Sequence, residues 1–387
     1  MKRIIALIIA VLTVLTTVGQ STSKLKKVYL DGPRVLAFSD YEYGRMQVKV
    51  KRGSYDLKAY TPDSTFTMHY GPDDVHPLYT FRGDLRLNRA GCDSIVIESS
   101  DTIVARVLRG KNWSGERPYI GKMVIRPNLI YLETIVKVPT ELYIAGVVEA
   151  EGGLSPEGEY HKAQAVLART WLFTNLVKHV KEGYHVKDDQ SSQAFRGVPH
   201  GKNAAIIQKS VSASKDTLAL YKGTPIQGFY HSNSGGYTTQ PHLVWSAELP
   251  YFRTVLDPFS SKGKKFYWTH QLNWSEWEKY WAGKSVHLSK SDWNQFYQNL
   301  PEHRLSHWEI GGQSYKLETL RRAFKLRSGY FTGEISGDKL ILNGRGFGHG
   351  VGMSQEGAMH MAASEFTWKE ILDFYFKDLD FRSVQNL

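Results

Sequence analysis

The stretch Val138-Pro139-Thr140-Glu141-Leu142-Tyr143-Ile144-Ala145-Gly146-Val147-Val148-Glu149-Ala150-Glu151-Gly152-Gly153 most constrains how this chain folds. Its middle is apolar and has to be buried, because removing such surface from water drives folding. Yet it ends abruptly in the carboxylate of Glu151, followed by two glycines. An apolar segment that stops at an acid places that acid at the edge of a core. Glu149 lies two residues before it. On an extended segment Glu149 and Glu151 share a face; on a helical turn they do not.

A long helix follows, expected over Pro156 to Glu182. Ser155 suits its N-cap, Pro156 its first position and Gly183 its C-terminal cap. Tyr160, Ala163, Leu167, Trp171 and Leu176 recur at helical spacing, and Val166, Phe173 and Val177 widen the apolar face. Lys162, Arg169 and the pair Lys178-His179 lie among them.

Before this segment, Lys24 to about Ile135 reads as β-rich. Val35–Phe38, Met46–Val50, Ser94–Ile97 and Thr102–Val107 are short apolar runs, mostly β-branched, punctuated by Gly, Asp, Asn and Pro. Lys122–Arg126 and Leu129–Val136 form an expected hairpin around Pro127-Asn128. After the helix, short segments run from Ala204 to Pro258. Residues 259–308 then hold six of the ten tryptophans, with Trp274, Trp277 and Trp281 at i, i+3, i+7 spacing. Such a stripe packs a helix onto a core; aromatic platforms for sugar rings are the sharper alternative. A short helix over Leu317–Leu326, a strand over Lys339–Leu342 and an amphipathic helix over Thr367–Asp378 complete an α+β chain.

The composition, 41% hydrophobic and 22% charged, is that of a globular protein, and 387 residues allow two domains or one with insertions. Met1-Lys2-Arg3, the apolar run Ile4–Val18 and the small polar Gly19–Ser23 read as a signal peptide over residues 1–20. An uncleaved anchor is the alternative, although a spanning helix needs about 20 apolar residues. The chain is therefore expected to be exported, to the periplasm or cell surface. Cys92 is the single cysteine, so an internal disulfide is impossible and a cysteine-rich metal site is excluded. Net charge is +11, or +9 without Lys2 and Arg3. For an exported chain that balance favours anionic envelope polymers over nucleic acid.

Three segments carry candidate chemistry. The first is Gly146–Glu151 with the helix residues Lys162, Gln164 and Arg169. The second is Gly228-Phe229-Tyr230-His231-Ser232-Asn233-Ser234-Gly235-Gly236-Tyr237-Thr238. The third is Gly344-Arg345-Gly346-Phe347-Gly348-His349-Gly350-Val351-Gly352-Met353-Ser354-Gln355-Glu356-Gly357-Ala358. Glycines this dense allow positive φ and close approach of the backbone to a ligand or another strand. Two histidines with no nearby Cys or Asp are too few for a closed zinc site. A serine nucleophile built from Ser232, Ser234, His349 and Asp257 lacks the Gly-x-Ser-x-Gly elbow.

These segments, in this order, resemble the SpoIID/LytB family of stage II sporulation protein D and amidase-enhancer proteins. The helix core stands here as Lys162-Ala163-Gln164-Ala165-Val166-Leu167-Ala168-Arg169-Thr170, and both Gly-rich motifs are present. The resemblance covers about residues 118 to 380, apart from the Trp-rich stretch. It implies a catalytic domain there, behind a β-rich N-terminal region at 24–117. It also implies a lytic transglycosylase acting on peptidoglycan glycan strands stripped of stem peptides.

In that reading Glu151 is the catalytic acid and base, with Glu149 the competing candidate. Such an acid has to start protonated, so partial burial against Val147 and Val148 should raise its pKa. Lys162 and Arg169, seven apart on one helix face, would hold the free lactyl carboxylate of muramic acid, which Arg can grip bidentately. A structural salt bridge is the other reading of Arg169. Substrate contacts are implied for Gln164, Ser192, Gln193, His231, Ser234, Gly235, Gly236, His349, Ser354 and Gln355. Asp189, Ser192 and Gln193 would line the cleft or hold its loops, and His231 and His349 would hydrogen-bond within loops around it. Glu149 takes a surface role, because the family often has a small or apolar residue there. Some family members bind zinc through Cys and His after the helix. Lys187–Phe195 has no cysteine, so no metal and no cofactor is expected. The rival reading is a wall-binding enhancer of an N-acetylmuramoyl-L-alanine amidase.

Overall fold

The computed structural model describes residues 22–72, 74–87, 90–153, 155–245, 248–294 and 303–387. The expected signal segment, residues 1–20, lies outside them. The chain divides into two compact units. The first comprises the described residues up to Pro156, Ala168–Leu218 and Arg382–Leu387; the second comprises Glu157–Leu167 and Ala219–Phe381.

The first unit contains a seven-stranded sheet, in the spatial order Val186–Lys187, Arg34–Ala37, Tyr131–Lys137, Lys122–Asn128, Ser94–Ser99, Tyr55–Tyr60, Thr65–Tyr70. The first pair is parallel and the others are antiparallel. Burial alternates as a pleated strand requires: Tyr55, Leu57 and Ala59 are buried, whereas Asp56 and Lys58 are exposed. The hairpin expected near Pro127-Asn128 forms, with Asn128 opposite Tyr131. A second sheet runs Asn112–Trp113, Ile103–Arg109, Arg45–Val50, His76–Phe81, Asp84–Leu87, Ala90–Cys92, with Arg117–Tyr119 beside Ile103–Arg109. The boundary drawn at residue 117 does not coincide with a break. Ser94–Ser99, before it, pairs directly with Lys122–Asn128, after it. Strand partners are non-local, and the local pattern of a sequence does not report them.

Four helices complete this part of the chain: α1 (residues 22–31), α2 (Thr140–Gly152), α3 (Gly158–Asn175) and α4 (Ala204–Ala213). The first residues of α3, up to Leu167, belong to the second unit. The segment ending at Glu151 is thus helical. Its buried residues run Thr140, Tyr143, Ile144, Ala145, Gly146, Val147, Val148, almost without a polar break. A helix that is apolar nearly all round shows no amphipathic period and is buried as a whole. Helix α3 is shorter than its periodicity suggests. Thr174 Oγ1 and Asn175 Nδ2 bond back to the carbonyls of Thr170 and Trp171, which competes with continued helix. A turn and a 3-10 segment, Val180–Glu182, follow, closed by Gly183 at φ 93°.

In the second unit, Tyr160, Ala163, Val166 and Leu167 share a core with Ile371, Leu372, Tyr375 and Phe376. The Trp-rich stretch builds its own core. Strands Tyr267–Asn273, Lys339–Arg345 and Phe331–Ser336 form a sheet. Beside it, the helix Trp274–Ala282 is capped by a reciprocal Asn273–Glu276 box. Trp274, Trp277, Trp281, Trp293 and Trp308 are buried together, with Trp277 5.3 Å from Trp293 and 5.7 Å from Trp281 between ring centroids. The stripe therefore packs a core and offers no sugar platform. Among the described residues no helix is long and apolar enough to cross a membrane.

Trp277 is fully buried at the centre of this cluster. Trp277→Ala is expected to destabilise the protein by about 3–5 kcal/mol, measured by chemical denaturation. A loss below about 1 kcal/mol would contradict the packing described.

Candidate active site

The site residues inferred from sequence divide between the units. Glu151, Arg169, Ser192 and Gln193 lie in the first. Lys162, Gln164, His231, Ser234, Gly235, Gly236, His349, Ser354 and Gln355 lie in the second.

Glu151 occupies the last turn of α2, half-buried, and its Oε1 accepts a hydrogen bond from Ala194 N at 2.8 Å. Burial raises its pKa, and the Ala194 N–H and the nearby Arg196 charge partly offset this. The C-terminal end of a helix carries partial negative charge, which acts in the same direction as burial. A carboxyl group with these neighbours holds its proton more tightly than an ordinary glutamate while remaining partly exposed.

The loop facing Glu151 is fixed from behind. Asp188 is fully buried. Its carboxylate accepts from Phe38 N (2.6 Å), Ser39 N (2.9 Å), Ser39 Oγ (2.6 Å) and Arg117 Nη1 (2.6 Å). Its carbonyl accepts from Arg196 Nη1 at 2.6 Å and Phe195 N at 3.2 Å. Asp189 accepts from Ser39 Oγ at 2.7 Å and Ser191 N at 2.7 Å. Ser192 Oγ accepts from Lys187 N at 3.1 Å. Gln193 is buried, accepting from Tyr143 Oη at 3.2 Å and donating to Ala168 O at 3.2 Å. Ser192 and Gln193 thus hold the loop. Helix α2 meets it at Gly146, where a Cβ would stand 2.2 Å from Gly197 O and 2.5 Å from the Phe195 ring. Only glycine permits that approach, at a helix cost of about 1 kcal/mol relative to alanine.

Two expectations need correction. Glu149 is no free surface acid. Its side chain is 19% exposed and accepts from His200 N at 3.1 Å and Gly201 N at 3.0 Å. At 100° per residue, the helix turns it about 200° away from Glu151. Arg169 is fully buried and grips the protein's own carboxylate. Its Nε and Nη2 donate to Glu141 Oε1 (3.0 Å) and Oε2 (2.7 Å), and Nη1 and Nη2 reach Thr217 O (3.2 Å) and Val211 O (3.4 Å). Tyr29 Oη also donates to Glu141. The guanidinium expected to meet a substrate carboxylate is occupied by α2 itself, as in the structural reading.

In the second unit, Lys162 pairs with Glu159 one turn earlier at 2.5 Å. Gln164 is buried, and its Oε1 accepts from Gln355 Nε2 at 3.5 Å. The two Gly-rich motifs lie side by side. Tyr230–His231 pairs in parallel with Met353–Ser354, and Asn233 bridges Phe347. Ser234 Oγ donates to Asp257 Oδ2 at 2.7 Å, and Tyr375 Oη reaches the same oxygen at 3.1 Å. Ser354 Oγ accepts from Ser234 N at 3.1 Å and caps the helix Gln355–Ala362. Gly235 and Gly236 adopt φ of 70° and 102°.

His231 Nδ1 meets Val351 O at 3.1 Å, and His349 Nδ1 accepts from Val351 N at 3.0 Å. Burial drives both pKa values down, that of His349 to about 3. Both rings are therefore neutral fasteners of the loops. Ser234 is bonded to Asp257, whereas His231 and His349 hold the backbone of Val351.

Arg304 was not found from sequence. It donates to Ser234 O through Nε (3.0 Å) and Nη2 (2.7 Å) and to Gly348 O through Nη1 (3.4 Å). A Cβ at Gly346 or Gly350 would stand 2.6 or 2.8 Å from its guanidinium group. Arg304 lies 40 residues before the motif it supports, so no local signal marks it. Among the described residues no group of three or more His, Cys, Asp or Glu is placed to hold a metal ion.

Arg169→Ala strands Glu141 in a largely buried setting. It is expected to cost about 3–5 kcal/mol, read by urea denaturation; unchanged stability would contradict the assignment. A second expectation concerns pH. With folded pKa values below 6.5, His231 and His349 bind protons more readily when unfolded. Stability is then full above pH 6.5 and falls as pH drops toward about 3, where His349 titrates in the fold. Denaturation midpoints from pH 7 to 4 that stay level in wild type, or that fall equally in His231→Gln/His349→Gln, would refute this.

The family model "SpoIID: Stage II sporulation protein" matches residues 131–221. Stage II sporulation protein D of Bacillus amyloliquefaciens is 28% identical over 261 residues, 64% of this chain and 75% of that protein. The protein of the same name from Bacillus subtilis (strain 168) is 28% identical over 258 residues, 63% and 75% of the two chains. The amidase enhancer of Bacillus subtilis (strain 168) is 27% identical over 292 residues, 60% of this chain and 39% of that protein.

Proposed function

Because the chain belongs to the SpoIID/LytB family, we propose that it acts on the bacterial cell wall as a peptidoglycan lytic transglycosylase. Its substrate is a glycan strand stripped of stem peptides, and the bond is that between N-acetylmuramic acid and N-acetylglucosamine. The observation that carries the reading is the Glu151 carboxyl group, half-buried at the end of α2 with its pKa raised by burial. A general acid has to begin protonated, and burial is the ordinary means of keeping it so.

One acid is enough for this reaction. Glu151 gives its proton to the glycosidic oxygen as the bond to the muramic C1 breaks. The resulting carboxylate then takes the proton of the muramic C6 hydroxyl, whose oxygen closes on C1 to form a 1,6-anhydro ring. No water is consumed and the acid is regenerated. Hydrolases of the paired-carboxylate type need a second carboxylate for nucleophile or water. The nearest candidate in sequence, Glu149, is held by the His200 and Gly201 amides. Export to the periplasm or cell surface, with the N-terminal segment cleaved or kept as a tether, belongs to the same proposal.

The match to an amidase enhancer supports a second reading, in which the chain binds wall and stimulates an amidase. Mass spectrometry of stripped strands incubated with residues 24–387 separates the two. Anhydro-muramic ends from wild type, abolished in Glu151→Gln, are expected. Activity should fall as pH rises through the raised Glu151 pKa, with that limb above the ordinary glutamate value of about 4.3. Reducing muramic ends would mean hydrolysis. No products, with an amidase recovered in a pull-down, would establish the enhancer.

A further inference from the structure

The proton cycle proposed above leaves Glu151 as a carboxylate in mid-reaction, and a half-buried carboxylate needs support. Its bond from Ala194 N, at 2.8 Å, is to a neutral amide. Glu149 points elsewhere and is held by the His200 and Gly201 amides. Tyr143, buried on the same helix, donates its hydroxyl to Gln193. Burial and the Glu151 charge both raise the Tyr143 pKa, so it stays a neutral phenol. A cation is supplied by the loop that meets α2. Arg196 lies two residues beyond Ala194, and its charge acts on Glu151.

Two acids of the same unit fix the position of that charge. Arg196 Nη1 donates to Asp188 O at 2.6 Å and stands 3.7 Å from Asp188 Oδ2; Nη2 donates to Asp40 Oδ2 at 3.1 Å. The Asp188 carboxylate is already matched by Arg117, whose Nη1 is 2.6 Å from Oδ2 and whose side chain is 7% exposed. Asp40 is 43% exposed, a setting in which water weakens an ion pair. Asp189 is bonded to Ser39 and Ser191 instead. Tyr119, which also feels the Arg196 charge, is buried, and burial keeps its phenol neutral. Arg196 is therefore fixed in place yet incompletely neutralised.

We infer that Arg196, held by Asp40 and Asp188, is a positioning residue for proton transfer: its charge steadies the Glu151 carboxylate between the two halves of the cycle. In the first half the Glu151 proton passes to the leaving oxygen, which keeps the electron pair of its bond to C1. In the second, the carboxylate takes the C6 hydroxyl proton as O6 bonds to C1. Arg196 exchanges no proton in either half. A charge that acts without contact favours the carboxylate and leaves its oxygens open to the sugar. Asp40 thus ties the N-terminal β-rich region to the chemistry through one guanidinium group. The inference rests on the lytic reading above and adds the group that tunes its acid.

The test follows Glu151 itself, by carboxyl NMR titration of residues 24–387 labelled at glutamate, with Glu151→Gln assigning the signal. The pH profile of anhydro-end formation from stripped strands is measured beside it. Arg196→Gln is expected to move the Glu151 midpoint and the alkaline limb of cleavage to higher pH together, and to lower kcat on the acid plateau. Arg196→Lys should restore both, because the charge is kept even though an ammonium group lacks the guanidinium fork. Asp40→Asn, a change at an exposed side chain, should move the midpoint to lower pH by leaving Arg196 less neutralised. That shift should vanish when Arg196→Gln is also present. A level midpoint in Arg196→Gln or Asp40→Asn would overturn the inference, as would lost stability and rate with the limb unmoved, which is the mark of a loop fastener alone. Failure of lysine to restore the midpoint would overturn it too. Absence of anhydro ends from wild type would sink the lytic reading, and the titration would still decide separately whether Arg196 acts on Glu151.

Discussion

The buried carboxylate of Asp188 is the point from which the Glu151 environment is built. A fully buried acid is tolerated only where a countercharge and hydrogen-bond donors satisfy it. Here they come from the Phe38-Ser39 turn and from Arg117, residues that belong to the N-terminal β-rich region. The Asp188 carbonyl in turn ties down Phe195 and Arg196. Ala194, beside them, presents its N–H to Glu151, and Phe195 packs against Gly146. The N-terminal region thereby acts as the back wall of the loop that faces the candidate acid.

What was legible in the sequence follows from how local each requirement is. Glu151 stands out in the sequence because an apolar run that ends in an acid is a local pattern, whereas its partners Ala194 and Arg196 come from across the fold. The Gly-rich motifs could be found because positive φ and close approach demand glycine at fixed positions. The Trp274-Trp277-Trp281 stripe reported its helix because packing imposes that period. Contacts made at long range left no such mark. Asp188 and Asp189 are adjacent, and only tertiary partners distinguish the anchor from its half-exposed neighbour. Arg304 binds the carbonyls of Ser234 and Gly348, 70 and 44 residues away. The continuous apolar face of α2 hid its helical period, and with it the fact that Glu149 and Glu151 point in different directions.

Arg169 shows how a motif residue can matter without touching a ligand. Its guanidinium closes on Glu141 in the first turn of α2, while Glu151 stands in the last turn of the same helix. A rigid helix fixed at its first turn by a bidentate ion pair, and at its middle by the Gly146 contact, has little freedom left at its end. The same sequence signal therefore fits a residue that positions the acid as well as it would fit one that grips substrate. The buried geometry selects the former.

The acids of this region also show why only one of them suits proton transfer. Glu141 and Asp188 each hold a guanidinium group, and Glu149 holds two backbone amides. Each of these carboxylates is fixed in place by its partners. Glu151 accepts from the Ala194 amide at the negative end of a helix, and burial outweighs both that bond and the nearby Arg196 charge. A closer cation would lower its pKa, and deeper burial would raise it further. The half-buried carboxyl lies between these limits, which suits the proton-transfer role proposed for it.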